Sequence, residues 1–229
     1  MKQFPARADA ARETARPRRE ESDSPPRLRI ESVRQGASGT TIVVAGGSSY
    51  IFRSSQAEEL GLSYDLLLPG AELEETDVGI LAVAAEAYEA EKRAITLLAR
   101  AEQSAYMLGA KLETRGLSKK AVRVALERLS NEGILSDRRY AEAYAASRLS
   151  RRVEGPASLL SSLRARGIDG ETAKAAIAVV LGPAQRSPAL AKAAEKEMRR
   201  SGGDREAARR RLRRLGFKSD EISEYFEKD

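Results

Sequence analysis

The sequence predicts a mainly α-helical protein in which tandem three-helix repeats form an elongated curved array after a small antiparallel β module. Three observations lead to this fold class. Aromatic residues make up only 5% of the 229 residues, while Ala, Leu and Arg are abundant, as is typical of helical proteins with small cores. Apolar residues alternate with period two in a short segment near the N-terminus. A glycine-centred phrase recurs three times in the C-terminal part.

The first segment, residues 1–26, mixes charged residues with four prolines and few large apolar residues. This composition predicts a disordered tail. An Arg-rich transit peptide is the alternative interpretation, and the five acidic residues in the segment argue against it.

A small acidic β module is predicted at residues 27–75. Residues 28–33 alternate in hydrophobicity, residues 40–44 are rich in β-branched side chains, and residues 50–52 follow a pair of glycines. We expect a three-stranded antiparallel meander, whose apolar face needs a cover. The leucines between residues 60 and 68 are the candidates for that cover.

Three glycines, Gly116, Gly167 and Gly216, mark the repeat. Each has a Leu four residues before it, a large apolar residue directly after it and an Arg sixteen residues before it. Twelve positions before each glycine stands a residue suited to beginning a helix. These residues are Ser104, Gly155 followed by Pro156, and Asp204.

This spacing predicts three helices per unit, with the glycine in a left-handed conformation at the end of the second helix. A unit of about 45 residues is too small to fold alone, so adjacent units should share apolar surface. We therefore divide this part of the chain into a connecting helix at residues 76–91 and helical repeats at residues 92–136, 137–185 and 186–229.

The charges are segregated along the chain. Residues 28–90 carry a net charge of −7 and residues 91–229 a net charge of +11, within an overall +6. The basic character of residues 91–229 indicates an anionic partner, which is a nucleic acid, a nucleoprotein or an acidic protein surface. The alternative is a solvated helical surface that is rich in Arg.

Several functional classes lack the residues they need. The chain has no Cys and no His, which excludes a structural zinc site, a disulfide framework and a His-activated nucleophile. No glycine motif is typical of nucleotide binding, and the acidic residues 72–77 are better interpreted as an exposed turn than as a cation site. We expect no catalytic residue, no metal and no cofactor. Since no apolar run is long enough for a membrane span or a signal peptide, we expect a cytoplasmic protein without membrane contact.

The stretch SDRRYAEAY at residues 136–144 carries a resemblance to a known family. Together with Ser147-Arg148, Gly155-Pro156 and Leu163 to Ile168, it resembles the signature of the RecX family, bacterial regulators of the RecA recombinase. The resemblance covers residues 92–229, and the β module is similar to N-terminal extensions of some members. Two positions depart from the pattern. Gln103 stands where a basic residue or His is expected, and Ser136 stands where a second Asp is frequent.

The resemblance implies a non-enzymatic regulator in recombination, DNA repair and the SOS response. Such a protein would bind the RecA filament on single-stranded DNA and restrain its ATP turnover, extension and strand exchange. We expect a monomer, with single- or double-stranded DNA as a further partner. A helical-repeat protein that binds nucleic acid without a recombinase is the alternative, and an enzyme with a site beside the β module has almost no support.

Two basic segments are the candidates for partner binding, because Arg forms forked hydrogen bonds with phosphates and carboxylates. The alternative for the arginines is a solvated helix face, and for the tyrosine a place in the core. The candidate residues are Arg139, Tyr144, Arg148, Arg151 and Arg152 in the first segment, and Arg209, Arg210, Arg213 and Arg214 in the second.

Overall fold

A four-stranded antiparallel sheet opens the computed structural model, which describes residues 27–228; the predicted tail at 1–26 lies outside the described residues. The strand order is β3-β2-β1-β4, so the predicted meander is present and a short fourth strand extends it beyond β1. The strands are β1 (Leu28–Gln35), β2 (Thr40–Ala45), β3 (Ser48–Arg53) and β4 (Glu72–Leu73).

The hairpin between β2 and β3 explains the glycine pair. Gly46 and Gly47 both have positive φ angles, 55° and 71°, as a two-residue hairpin turn with the twist of its strands requires. The register pairs Ala45 with Ser48 and continues to Thr40 opposite Arg53. Alternate residues of the strands therefore reach one buried face, where Phe52 is fully buried.

The cover of this sheet differs in part from the prediction. Leu62 and Leu67 are buried in the module core, but Leu66 and Leu68 are exposed. The rest of the cover comes from a long helix, whose Leu81 joins the same core. A helix supplies a continuous apolar stripe, which the extended segment around Leu66 cannot.

Ten α-helices lie in the described part of the chain, and from α2 onward they form three successive three-helix units. The fold class is confirmed: tandem three-helix repeats follow a small antiparallel sheet. Helix α2 runs through residues 76–91 and into the first repeat without a break. The helices are α1 (Ser54–Glu59), α2 (Glu75–Leu98), α3 (Ala105–Glu113), α4 (Lys119–Asn131), α5 (Asp137–Arg152), α6 (Pro156–Arg164), α7 (Gly170–Val180), α8 (Pro183–Arg200), α9 (Arg205–Arg214) and α10 (Ser219–Lys228).

The predicted helix starts are confirmed where a side chain can cap. Ser104 accepts a hydrogen bond from the Met107 N–H, and Asp204 accepts one from the Ala207 N–H. Each of these bonds satisfies one of the free N–H groups of a first turn.

The repeats meet through equivalent positions, which we call the inter-repeat junctions. The Ser104 hydroxyl, where α3 begins, donates to the carbonyl oxygen of Arg166 at 2.7 Å. At the equivalent position of the second repeat, the Gly155 N–H donates to the carbonyl oxygen of Leu215, also at 2.7 Å. In the first and second repeats, the second helix therefore begins against the end of the second helix in the next repeat.

The three repeat glycines have positive φ angles of 87°, 81° and 90°, which confirms the left-handed prediction for Gly116, Gly167 and Gly216. Two of them also allow close approach at a junction. A Cβ on Gly167 would overlap the side chain of Tyr106, and one on Gly216 would overlap the backbone of Ser158. A Cβ on Gly116 would meet nothing within 4 Å.

One non-glycine residue in the described chain is left-handed, and it too lies between repeats. Val153 ends α5 with φ 53° and ψ 58°, a strained conformation for a β-branched side chain. Its side chain is buried in the core of the third repeat, beside Leu190 and Leu212. Burial in the neighbouring core offsets the backbone strain.

A buried ion network joins the β module to the first repeat. The Glu91 carboxylate in α2 is 1% exposed and accepts from Arg53 of β3 at 2.6 Å and from Arg128 of α4 at 2.7 Å. The pKa of Arg53 is raised, chiefly by its hydrogen bond to Glu91. The guanidinium of Arg53 also lies 5.6 Å from the ring centre of Tyr88. One carboxylate thus holds a strand and two helices together.

Candidate partner-binding surface

Five of the nine candidate residues have exposed guanidinium groups without a hydrogen bond or ion pair within the described chain. Arg151 and Arg152 occupy the last turn of α5, where cations suit the negative end of the helix dipole. The other three, Arg210, Arg213 and Arg214, lie on one side of α9. These five residues are called the free arginines below.

The structure brings the two groups of free arginines to one junction. Arg152 precedes Val153 and Gly155, and the Gly155 N–H is bonded to the carbonyl oxygen of Leu215. Arg214 is the residue directly before Leu215. The free arginines therefore lie on both sides of the junction between the second and third repeats, although some sixty residues separate them in sequence.

Arg139 is engaged within the protein. Its Nε donates to Glu102 at 2.7 Å, and its two terminal nitrogens donate to the carbonyl oxygens of Gly133 and Ile134, each at 2.8 Å. These carbonyls follow α4, so the side chain joins the loop after α4 to the start of α5. Three of its five N–H groups are therefore used within the protein.

Tyr144 and Arg148 belong to a partly buried cluster in the second repeat. Tyr144 stacks on Tyr140 with ring centres 6.1 Å apart, and the guanidinium of Arg166 lies 4.4 Å from the Tyr144 ring centre. Burial raises the pKa of the Tyr140 hydroxyl. Arg148 pairs at 3.1 Å with Glu154, whose side chain is buried. The cluster contributes to the packing of the second repeat, as the core alternative for the tyrosines expects.

Arg209 differs from the other arginines of α9 in its surroundings. It pairs with Glu206 at 3.1 Å and its guanidinium lies 5.2 Å from the ring centre of Phe226 in α10. Arg211, which was not a candidate, approaches the buried carboxylate of Glu197 at 3.7 Å. The arginines of residues 209–214 are thus divided between the inward side and the outward side of α9, as the helical period requires.

Other kinds of site have little support in residues 27–228. No group of three or more Asp or Glu residues there is placed to hold a metal ion. None of the helices in that range combines the length and the apolar character needed to cross a membrane.

Comparisons with known proteins bear on the family and the fold. A family model described as the RecX second three-helix domain matches residues 136–177. A regulatory protein RecX of Treponema pallidum is 34% identical over 139 residues, which are 61% of this chain and 84% of that protein. A regulatory protein RecX of Halorhodospira halophila is 36% identical over 135 residues, covering 56% of this chain and 81% of that protein.

Solved structures share the fold. A crystal structure of a regulatory protein RecX superposes with a TM-score of 0.67 at 20% identity and covers 88% of this chain and 100% of that one. A crystal structure of RecX from Lactobacillus salivarius gives a TM-score of 0.57 at 19% identity over 63% of this chain. The coverage in the first case is more than the helical repeats alone can supply, so part of the β module is included. On the sequence identity, the length covered and the repeat structure, this chain belongs to the RecX family.

Proposed function

We propose that this protein binds the filament of the RecA recombinase on single-stranded DNA and restrains its ATP turnover, extension and strand exchange. The observation that carries the proposal is the group of free arginines on both sides of the junction between the second and third repeats. Guanidinium groups without internal partners are available to carboxylates and phosphates of a partner. Family membership supplies the recombinase as the expected partner. No catalytic step is part of the proposal.

The mechanism is geometric. The repeats are joined in succession through equivalent junctions, and a filament presents its protomer surfaces at intervals, so different repeats would face different protomers. An array that contacts neighbouring protomers would resist the rearrangement between them that ATP hydrolysis requires. It would also obstruct the groove through which a second DNA enters. Inhibition should therefore need far less than one copy of this protein per recombinase protomer.

The free arginines also support a second candidate, a helical-repeat protein that binds nucleic acid without a recombinase. Both partners are anionic, and salt weakens both kinds of contact. The two candidates differ in what the arginines contact, which is a protein carboxylate in one case and a DNA phosphate in the other. Salt dependence alone cannot separate them, but charge reversal can.

The test compares two variants of equal net charge. Arg151→Glu/Arg152→Glu removes two free arginines, while the control Arg34→Glu/Arg115→Glu reverses two exposed charges outside α5 and α9. We expect the first variant to weaken inhibition of the single-stranded-DNA-dependent ATPase about tenfold, a change of about 1.4 kcal/mol. The control should inhibit like the wild type, and both should keep the wild-type circular dichroism spectrum.

Affinity for naked single-stranded DNA, measured on the same variants, decides between the candidates. If carboxylates are the partners, DNA affinity should fall much less than inhibition. An equal fall in both would favour the nucleic-acid protein, and unchanged inhibition would remove the end of α5 from the interface.

A further inference from the structure

An open groove lies on the first repeat between α3 and α4, with a volume of about 490 Å³. Its floor and walls are mostly apolar, and it lies away from the free arginines of the second and third repeats. The apolar lining consists of Ala105, Tyr106, Gly109, Ala110, Val122 and Leu126.

The same groove positions recur in the other repeats, where one of them carries a larger side chain. Seven residues before the repeat glycine stands Leu160 in the second repeat, where it packs against the core. The equivalent residue of the third repeat is Arg209, which lies over Phe226. In the first repeat this position is Gly109, which adds no side chain to the groove. The equivalent pocket beside Leu160 in the second repeat is smaller, about 330 Å³ against about 490 Å³.

The chain itself does not require glycine at position 109. Gly109 lies inside α3 with ordinary helical backbone angles, because it is not among the residues with positive φ. A Cβ there would point at Leu126 and Val122 at 3.5 and 3.7 Å, which are normal contact distances. Alanine would fit and is the better helix former. The open groove is what the glycine provides.

One wall of the groove is held in place by the second repeat. Tyr106 is 65% exposed and forms one side of the groove. Its Cβ and the near edge of its ring lie against Gly167 at the inter-repeat junction, so the side chain is held in place although most of it is exposed. The groove is therefore already formed before anything binds.

The rim of the groove has an excess of positive charge. Lys119 and Arg123 lie on the α4 side, and Glu113 is the carboxylate on the α3 side. Lys119 has no ion pair within the described chain, and the ion pair of Arg123 with Glu127 is long, at 3.9 Å. A partner carboxylate on the α4 side would be attracted to both cations.

We propose that this groove binds a segment of a protein partner that inserts one large apolar side chain and carries a carboxylate beside it. The side chain takes the place that Leu160 takes in the second repeat, between Tyr106 and Leu126. The carboxylate faces Lys119 and Arg123. The inference rests on the proposed function, because the segment belongs to the recombinase, and it adds a contact on the first repeat that the free arginines do not supply.

The experiment fills the groove from within. Gly109→Leu places in the first repeat the side chain that the second repeat already has. The control is Ser130→Leu, which adds the same side chain at an exposed position of α4 outside the groove. We expect Gly109→Leu to lower affinity for the recombinase filament about tenfold, since a central apolar anchor dominates such contacts. Ser130→Leu should bind like the wild type. Affinity for naked single-stranded DNA should not change in either variant.

The second variant is Tyr106→Ala, which removes an exposed wall without a core change and decides the question if Gly109→Leu does not melt cooperatively. It should also lose filament affinity while DNA affinity stays constant. Wild-type filament affinity in folded Gly109→Leu, or in Tyr106→Ala, overturns this inference and leaves the proposed function standing. A parallel loss of DNA affinity overturns it in favour of a stacked nucleic-acid base. A wild-type protein that does not bind the filament overturns the proposed function, and this inference with it.

Discussion

Replacing Glu91 with Gln should loosen the β module from the helical repeats. The substitution keeps the shape of the side chain but removes the charge that Arg53 and Arg128 share, and Glu91 is only 1% exposed. Breaking a buried ion pair leaves uncompensated charge and costs about 3–5 kcal/mol. For a chain of this length, each kcal/mol corresponds to about 2–4 °C in the melting midpoint. We therefore expect Glu91→Gln to melt about 10 °C below the wild type.

The matched control lies on the same helix. Glu89 pairs with Arg93 at 2.9 Å and with Lys92 at 3.2 Å, but its side chain is 41% exposed. Exposed pairs contribute about 0–1 kcal/mol, so Glu89→Gln should shift the midpoint by a few degrees at most. Differential scanning calorimetry measures both variants. If both melt at the same temperature, burial does not set the strength of the Glu91 network, and this reasoning is wrong.

Two further predictions concern the repeats. Ala in place of Gly116 should cost about 1–2 kcal/mol, the strain of a left-handed L-residue, whereas Ala at Gly167 or Gly216 should cost more because its Cβ also overlaps the neighbouring repeat. If urea unfolding gives the same loss of stability for all three alanine variants, the junctions relax to accept the added Cβ and the prediction is wrong. Asp169 caps α7, and hydrogen bonds from Thr172 lower its pKa below 3.8. The ionised Asp169 cap therefore stabilises the fold above that pH, and this stabilisation is lost as the pH falls through the lower pKa of the folded state. The midpoint difference between wild type and Asp169→Asn should be constant near neutrality and shrink below pH 3.8.

The helical part of the fold was readable from the sequence because its determinants are local. A cap, a leucine and a left-handed glycine each act within a few residues of their own position, and their spacing repeats in all three units. The fourth strand was missed for the opposite reason. β4 is only Glu72–Leu73, too short for an alternating pattern, and its pairing with β1 depends on a contact across more than forty residues.

The candidate surface could be predicted only as a list of residue types. Composition and helical period identify the arginine-rich helices. Neither shows which guanidinium groups form hydrogen bonds or ion pairs within the protein. Arg139 and Arg209 are turned inward by a loop carbonyl and by a ring that come from other elements. The free arginines differ from them in the absence of such neighbours within the described chain, which is a property of the folded molecule.

The repeat glycines show how one residue type can have a local role and a tertiary role that differ between copies. All three end a helix in the left-handed region, and this role is visible in the sequence. Gly167 and Gly216 also bring backbone against the preceding repeat, while Gly116 has no repeat before it and faces open space. By their spacing in the sequence the three glycines are equivalent, but only Gly167 and Gly216 also allow adjacent repeats to stack closely. This stacking holds Tyr106 beside the groove of the first repeat, and it brings the free arginines together at the next junction. The same short sequence motif that forms each repeat therefore also positions the surfaces between repeats.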